Sequence, residues 1–225
     1  MIEAIIFDKD GTLFDFQKTW TQPFARLLDD IAPDRRAEAA ELMGFDTQKN
    51  QFQPDSLVIA STTGEVAEVL KPFFGGDHTR TVARLNATGS TATQEPAVDL
   101  RPCLEALSAK RYLGLVTNDS ETPARAHLAQ ENIVDLFTFI AGWDSGYGAK
   151  PEPGQLLAFC DATGIAPAAT IMVGDSRHDL MAGRAAGMGT VGVLTGVAGE
   201  ADLADLADAV LPDIGHLAEW LDPGN

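Results

Sequence analysis

The chain has 225 residues, 45% of them hydrophobic and 22% charged, enough for one large domain or for a core domain carrying an insertion. A formal net charge of −17 argues against nucleic acid or an anionic membrane surface as partner, since either would repel most of the surface. Two distant cysteines, Cys103 and Cys160, make a disulfide framework or thiolate zinc site improbable, and no run of about 18 apolar residues can span a bilayer, so the chain reads as soluble and cytoplasmic.

Ile2 to Phe7, apolar but for Glu3, is a run of strand length that ends at Asp8-Lys9-Asp10-Gly11-Thr12. Residues i and i+2 of a strand share a side, so Asp8 and Asp10 address one small volume where the chain turns. Like charges that close repel unless a metal ion or a shared proton intervenes. From residue 15 to about 95 the pattern is helical: Gln17–Ala32, Asp34–Met43, Glu65–Phe74 and His78–Ala87, with weak strand signals. Asn86 to Pro96 is polar and reads as a linker.

Beyond residue 100, helices and strands alternate. A helix over 101–111, with Pro102 in its first turn, precedes the strand Tyr112–Thr117. A helix over 121–131 precedes the strand Phe137–Ala141, and a helix over 153–163 ending at Gly164 precedes Thr170–Val173. A last helix over 177–186 ends at Gly187, before the strand Gly189–Leu194. Continuous apolar strands alternating with helices imply an α/β fold with a Rossmann-like parallel sheet. The economical division is an α/β core domain of residues 1–14 and 96–225, with a helical cap domain, 15–95, inserted after the first strand and over the carboxyl ends of the strands.

Four segments fall at those strand ends: Asp8-x-Asp10-Gly11-Thr12, Thr117-Asn118-Asp119, Lys150-Pro151 and Gly174-Asp175-Ser176-x-x-Asp179. In an open parallel sheet they converge on one crevice. Their excess of carboxylate calls for a hard divalent cation with oxygen ligands, by default Mg²⁺, and such a cation suits phosphate. Each segment alone has a plainer reading. Asp10-Gly11 is an ordinary turn, Asp175 and Ser176 could cap a helix, and Lys150 could be a surface lysine. Together they would have to be independent coincidences.

The four segments, in this order, resemble the signature motifs of the haloacid dehalogenase superfamily, specifically its phosphatases with a helical cap after the first motif. Gly174-Asp175-Ser176-x-x-Asp179-x-x-x-Gly183-x-x-Ala186-Gly187 resembles the fourth motif over its full length. The resemblance implies that Asp8 is a nucleophile forming an aspartyl-phosphate and that Asp10 protonates the leaving oxygen and then activates water. It implies that Thr117 and the Asn118 amide bind phosphate oxygens, and that Lys150 holds Asp8 and the phosphoryl group in register. It further implies that Mg²⁺ is ligated by Asp8, the Asp10 carbonyl and Asp175, with Asp179 behind them.

Dehalogenase members lack an acid at position 10, and P-type ATPases carry threonine there, so Asp10 points to rapid phosphomonoester hydrolysis. The overall pattern is most similar to phosphoglycolate-phosphatase-like members, implying a small phosphorylated metabolite, phosphoglycolate-like or a sugar phosphate. A phosphomutase of the β-phosphoglucomutase type shares all four motifs, and a non-catalytic protein binding a phosphorylated ligand is the alternative of another class. Asp15-Phe16 departs from the Asp-Ser pair of many relatives. Lys9 reads as incidental, the tryptophans at 20, 143 and 220 as packing residues, and His78, His127 and His216 as structural or surface residues. His178 reads as solvent-facing, and Arg125 and Arg177 as cleft-mouth or surface groups.

Overall fold

The computed structural model describes residues 1–53 and 55–224. The strand β1 (Ala4–Phe7) is followed by the helices α1 (Phe16–Asp29) and α2 (Arg36–Leu42), then the short strands β2 (Phe45–Asp46) and β3 (Gln51–Phe52). The helices α3 (Leu57–Ala60), α4 (Thr63–Leu70) and α5 (His78–Ser90) complete this segment. The alternating part runs α6 (Leu100–Ser108), β4 (Tyr112–Val116), α7 (Glu121–Gln130), β5 (Phe139–Ala141), α8 (Gly154–Thr163), β6 (Thr170–Gly174), α9 (Arg177–Ala186) and β7 (Gly189–Val193). It closes with α10 (Glu200–Leu203), β8 (Ala209–Leu211) and α11 (Leu217–Leu221).

The main sheet has the order β5-β4-β1-β6-β7-β8, with every neighbouring pair parallel. All four residues of β1 are buried, which is why the strand reads as an unbroken apolar run. Two apolar layers sandwich the sheet. Ile5, Phe7, Leu104 and Leu128 belong to one, and Ala4, Ile6, Leu156 and Phe159 to the other. Phe7 lies level with Leu115 and with Val173, so the residues that follow the three strands, Asp8, Thr117 and Asp175, leave the sheet along one edge. That register brings the sequence motifs together.

The segment between β1 and α6 has an apolar cluster of its own, built on Phe24, Met43, Phe45, Phe52 and Leu70. The rings of Phe24, Phe45 and Phe52 lie 5.0–5.1 Å apart by centroid. The two chain crossings into this segment run side by side. The Asp15 amide donates to the Glu95 carbonyl at 2.9 Å, and the Ala97 amide donates to the Leu13 carbonyl at 2.9 Å.

The alternating helices and strands stand where the sequence places them, to within a few residues at the ends. The linker is a correction. α5 continues through Ser90 into the stretch read as Asn86–Pro96, because its last turn docks on α7, where His127 Nε2 donates to the Gly89 carbonyl at 2.7 Å. Polar composition concealed a helix held by tertiary contact. The hairpin β2-β3 and the one-turn helix α3 also had no signal of their own, being two and four residues long.

Phe159 on α8 is wholly buried and meets Phe139 edge-on at 6.0 Å. Phe159→Ala is expected to cost about 3–5 kcal/mol in urea unfolding, through lost burial and the cavity left behind.

Candidate active site

Asp8 is the first residue beyond β1, and its amide still donates to the Val173 carbonyl of β6 at 2.9 Å. Its buried carboxylate accepts from Lys150 Nζ at 2.5 Å, and the same ammonium donates to Asp179 Oδ1 at 2.7 Å and the Val116 carbonyl at 3.3 Å. Lys150 reaches this point from the loop between β5 and α8. Asn118 fixes that loop through both backbone groups of Lys150. Its Oδ1 accepts from the Lys150 amide and its Nδ2 donates to the Lys150 carbonyl, both at 2.9 Å.

Asp175 emerges from β6 beside Asp8. Asp8, Asp175 and Asp179 each offer an oxygen within 4.8 Å of the others, and all three are buried. The space for Asp175 is left open by two glycines. A Cβ on Gly11, whose φ is +82°, would lie 2.2 Å from Asp175 Oδ2, and one on Gly196 would lie 1.7 Å from it. Ser176 and Asp179 form the capping box of α9, with Asp179 Oδ2 accepting from the Ser176 amide and hydroxyl at 3.0 and 2.6 Å. Of the two residues the sequence offered as helix caps, Ser176 fills that role and Asp175 does not, and the other Asp179 oxygen faces Lys150.

Three buried carboxylates against one ammonium leave a deficit of positive charge. Burial, opposed by Lys150, pushes the Asp8 carboxyl up to about 7. Burial, then Asp179 and Asp8, raises Asp175 well above the usual carboxylate range. Burial works against the Lys150 ammonium, but Asp179 and Asp8 outweigh it and keep the lysine charged. A hard divalent cation fits this donor set of carboxylate oxygens and would relieve the deficit.

The other half of the site corrects the sequence reading of position 9. Lys9 is completely buried, with Nζ 2.8 Å from Asp10 Oδ2, 3.0 Å from Asp119 Oδ2 and 2.9 Å from His127 Nδ1. An ammonium can only donate, so His127 Nδ1 accepts and Nε2 carries the proton given to Gly89. Burial and Lys9 push His127 down to about 4, consistent with a neutral ring. Trp20 is more than packing, since its Nε1 donates to Asp10 Oδ1 at 2.6 Å. Burial alone would raise the Asp10 carboxyl, but Lys9 and Trp20 hold it below its ordinary value.

A cavity of about 900 Å³, open solvent at its mouth included, lies between the strand ends and the helical segment. Asp8, Asp10, Thr117, Asn118, Lys150, Asp175 and Asp179 all border it, so the seven residues singled out by sequence share one site. The Thr117 hydroxyl accepts from the Asp119 amide at 3.0 Å. His178 is half-buried and lines the same cavity, where the sequence suggested a solvent-facing position. Arg177 and Arg125 stand outside, paired with Asp205 and Glu121.

Residues 5–193 match the family described as haloacid dehalogenase-like hydrolases. The chain belongs to that family. It is 31% identical to a phosphoglycolate phosphatase of Rhodospirillum rubrum over 98% of this chain and 91% of that protein. The fold is similar to that of a haloacid dehalogenase-like hydrolase from Bacteroides fragilis, with a TM-score of 0.75 at 19% identity over 96% of this chain and all of the other. It is also similar to the L-2-haloacid dehalogenase of Xanthobacter autotrophicus, with a TM-score of 0.69 at 18% identity over the whole of both chains. The same fold thus carries different chemistries, and the side chains at the strand ends must distinguish them.

Sequence reasoning passed over Lys9, Trp20, His127, Thr195 and Gly196. Thr195 Oγ1 donates to the Gly11 carbonyl at 2.6 Å, tying the loop after β7 to the first motif. The apolar surroundings of Lys9 in sequence (Ile5-Ile6-Phe7 before it, Leu13-Phe14 after) were the available sign that it would be buried and paired.

A carboxyl raised on folding from 3.8 to about 7 makes a contribution to stability that falls as pH rises through that window. In EDTA, Asp8→Asn is therefore expected to be more stable than wild type at about pH 8 by roughly 1–3 kcal/mol, with the gap closing toward about pH 4. Urea titrations of both proteins check this. A gap that widens on acidification contradicts it.

Proposed function

We propose that this protein is a Mg²⁺-dependent phosphomonoester hydrolase that acts on a small phosphorylated metabolite through an aspartyl-phosphate on Asp8. The observation that carries the reading is the pairing of two carboxylates in opposite environments. Asp8 faces Lys150 and the acidic cluster, while Asp10, two residues on, is gripped by Lys9 and Trp20. Carboxylates pushed apart in this way can take separate jobs as nucleophile and proton carrier. The family membership and the phosphoglycolate phosphatase of Rhodospirillum rubrum support it.

In this reading Asp8, Asp175 and the Asp10 carbonyl would hold Mg²⁺, which would supply positive charge to the phosphoryl oxygens and favour the ionised form of Asp8. Asp8 attacks phosphorus along the line of the leaving oxygen. Lys150 holds the attacking carboxylate and offsets the charge, with Thr117 and the Asn118 amide on the phosphoryl oxygens. Asp10 rests as a carboxylate, the form that activates water in the second step. A phosphomonoester entering as its monoanion brings the proton that Asp10 passes to the leaving alcohol in the first. We assign residues 15–95 to a helical cap and residues 1–14 and 96–225 to the core. The paired crossings at Leu13–Asp15 and Glu95–Ala97 then serve as the joint between them. A cap over the cleft excludes water while Asp8 attacks phosphorus and admits small substrates.

Turnover of p-nitrophenyl phosphate is expected in Mg²⁺ and not in EDTA, with Asp8→Asn lowering kcat at least about 1,000-fold. Mg²⁺-independent turnover, or full activity in Asp8→Asn, contradicts the proposal.

A further inference from the structure

The cavity above the strand ends has two unlike walls. The floor carries the carboxylates, Lys150 and Thr117, and the roof is apolar. Phe16, Trp20 and Phe24 come from α1, Phe52 from β3, Ile59 from α3 and Leu85 from α5. Phe16, Phe24 and Phe52 are buried, with the ring of Phe52 5.2 Å from Phe16 and 5.0 Å from Phe24, so this roof is packed in place.

Among the described residues bordering the cavity, Lys150 is the single lysine or arginine, and it is engaged by Asp8 and Asp179. The cations of the helical segment point elsewhere. Arg35 pairs with Glu38, Arg36 with Asp29, Arg84 with Asp30 and Lys71 with Glu68. The polar groups nearest the roof are also largely committed. Thr63 Oγ1 donates to Asp119 at 3.0 Å, and Asn118 Nδ2 donates to the Ala60 and Lys150 carbonyls. Ser61 and Thr88 remain as hydroxyls on the roof side.

A phosphomonoester placed with its phosphoryl group on the floor puts its alcohol portion against this roof. A second carboxylate there would meet no lysine or arginine beyond the engaged Lys150, with the His178 imidazole of α9 as the one other basic side chain among the described residues on the border. It would also lose its hydration and face the acidic floor. A sugar would bring more hydroxyls than Ser61 and Thr88 can satisfy. An apolar or aromatic group would instead be buried against rings and branched aliphatic side chains.

We infer that the substrate of this site is a phosphomonoester of an apolar, uncharged alcohol, aryl-bearing or alkyl, and that phosphoglycolate and hexose phosphates are poor substrates. This inference rests on the phosphomonoesterase reading above. The helical segment confers this choice through the uncharged roof formed by α1, β3, α3 and α5.

The test is kcat/KM, by phosphate release in Mg²⁺, for phenethyl phosphate, butyl phosphate, phosphoglycolate and a hexose phosphate. All four are esters of alcohols rather than of an acidic phenol, so differences report the roof rather than an activated leaving group. Phenethyl phosphate is expected to exceed phosphoglycolate by at least about tenfold, the scale set by a few buried apolar carbons. Ile59→Lys, a half-buried roof position on a one-turn helix, is expected to narrow that ratio by favouring phosphoglycolate. Phosphoglycolate equal to or better than phenethyl phosphate in wild type overturns the inference and leaves the phosphatase reading standing. A ratio unchanged in folded Ile59→Lys also overturns it. Hydrolysis of none of the four sinks the phosphatase reading, and this inference with it.

Discussion

One ammonium group organises the carboxyl ends of this sheet. Lys150 Nζ lies between Asp8 and Asp179, with Asp175 alongside, and all four side chains are buried. Buried like charges are tolerated only with a partner, and a single lysine cannot balance three carboxylates. The fold therefore holds a standing demand for positive charge at one point. The rest of the site can be read as what keeps that demand in place. The β1 register puts Asp8 beside Asp175, Asn118 clamps the Lys150 loop, and Gly11 and Gly196 leave room for the Asp175 carboxylate.

A second ammonium, Lys9, organises the opposite side. It joins Asp10, Asp119 and the neutral ring of His127, and all three continue into the helical segment. Trp20 of α1 donates to Asp10, Thr63 of α4 donates to Asp119, and Gly89 of α5 accepts from His127. The proton carrier of the proposed reaction is thus oriented jointly by the sheet and by the helices above it. In the proposed cap, movement away from the sheet would break those three contacts and release Asp10, coupling closure of the cleft to the position of its acid.

Much of the fold was legible because the parallel sheet writes itself plainly. Buried strands such as Ile5-Ile6-Phe7 and Ile171-Met172-Val173 are unbroken apolar runs, and α8 and α9 end at glycines. The acidic residues of the site were legible for a related reason. Charged side chains directly after such runs must sit at a strand end, and four segments of that kind converge in a parallel sheet. What escaped was set by distant contacts. The last turn of α5 is polar in sequence and helical because His127 and α7 receive it. The flanking apolar residues hint that Lys9 is buried, but its role emerges only when Asp119 and His127, more than a hundred residues away, are brought to it. The roof of the cavity has no motif at all, since apolar residues scattered over several elements acquire meaning only when they face one space.

The cluster of Asp8, Asp175, Asp179 and Lys150 lacks one cation's worth of positive charge. Isothermal titration of Mg²⁺ into the protein, in buffers of different ionisation enthalpy, measures that demand without reference to any substrate. Saturable binding of one ion per chain is expected, with proton release larger at about pH 6 than at about pH 8, because the raised Asp8 carboxyl must ionise. Asp175→Asn is expected to weaken the binding by at least about tenfold. Absence of saturable binding, or binding indifferent to Asp175→Asn, would contradict the charge deficit.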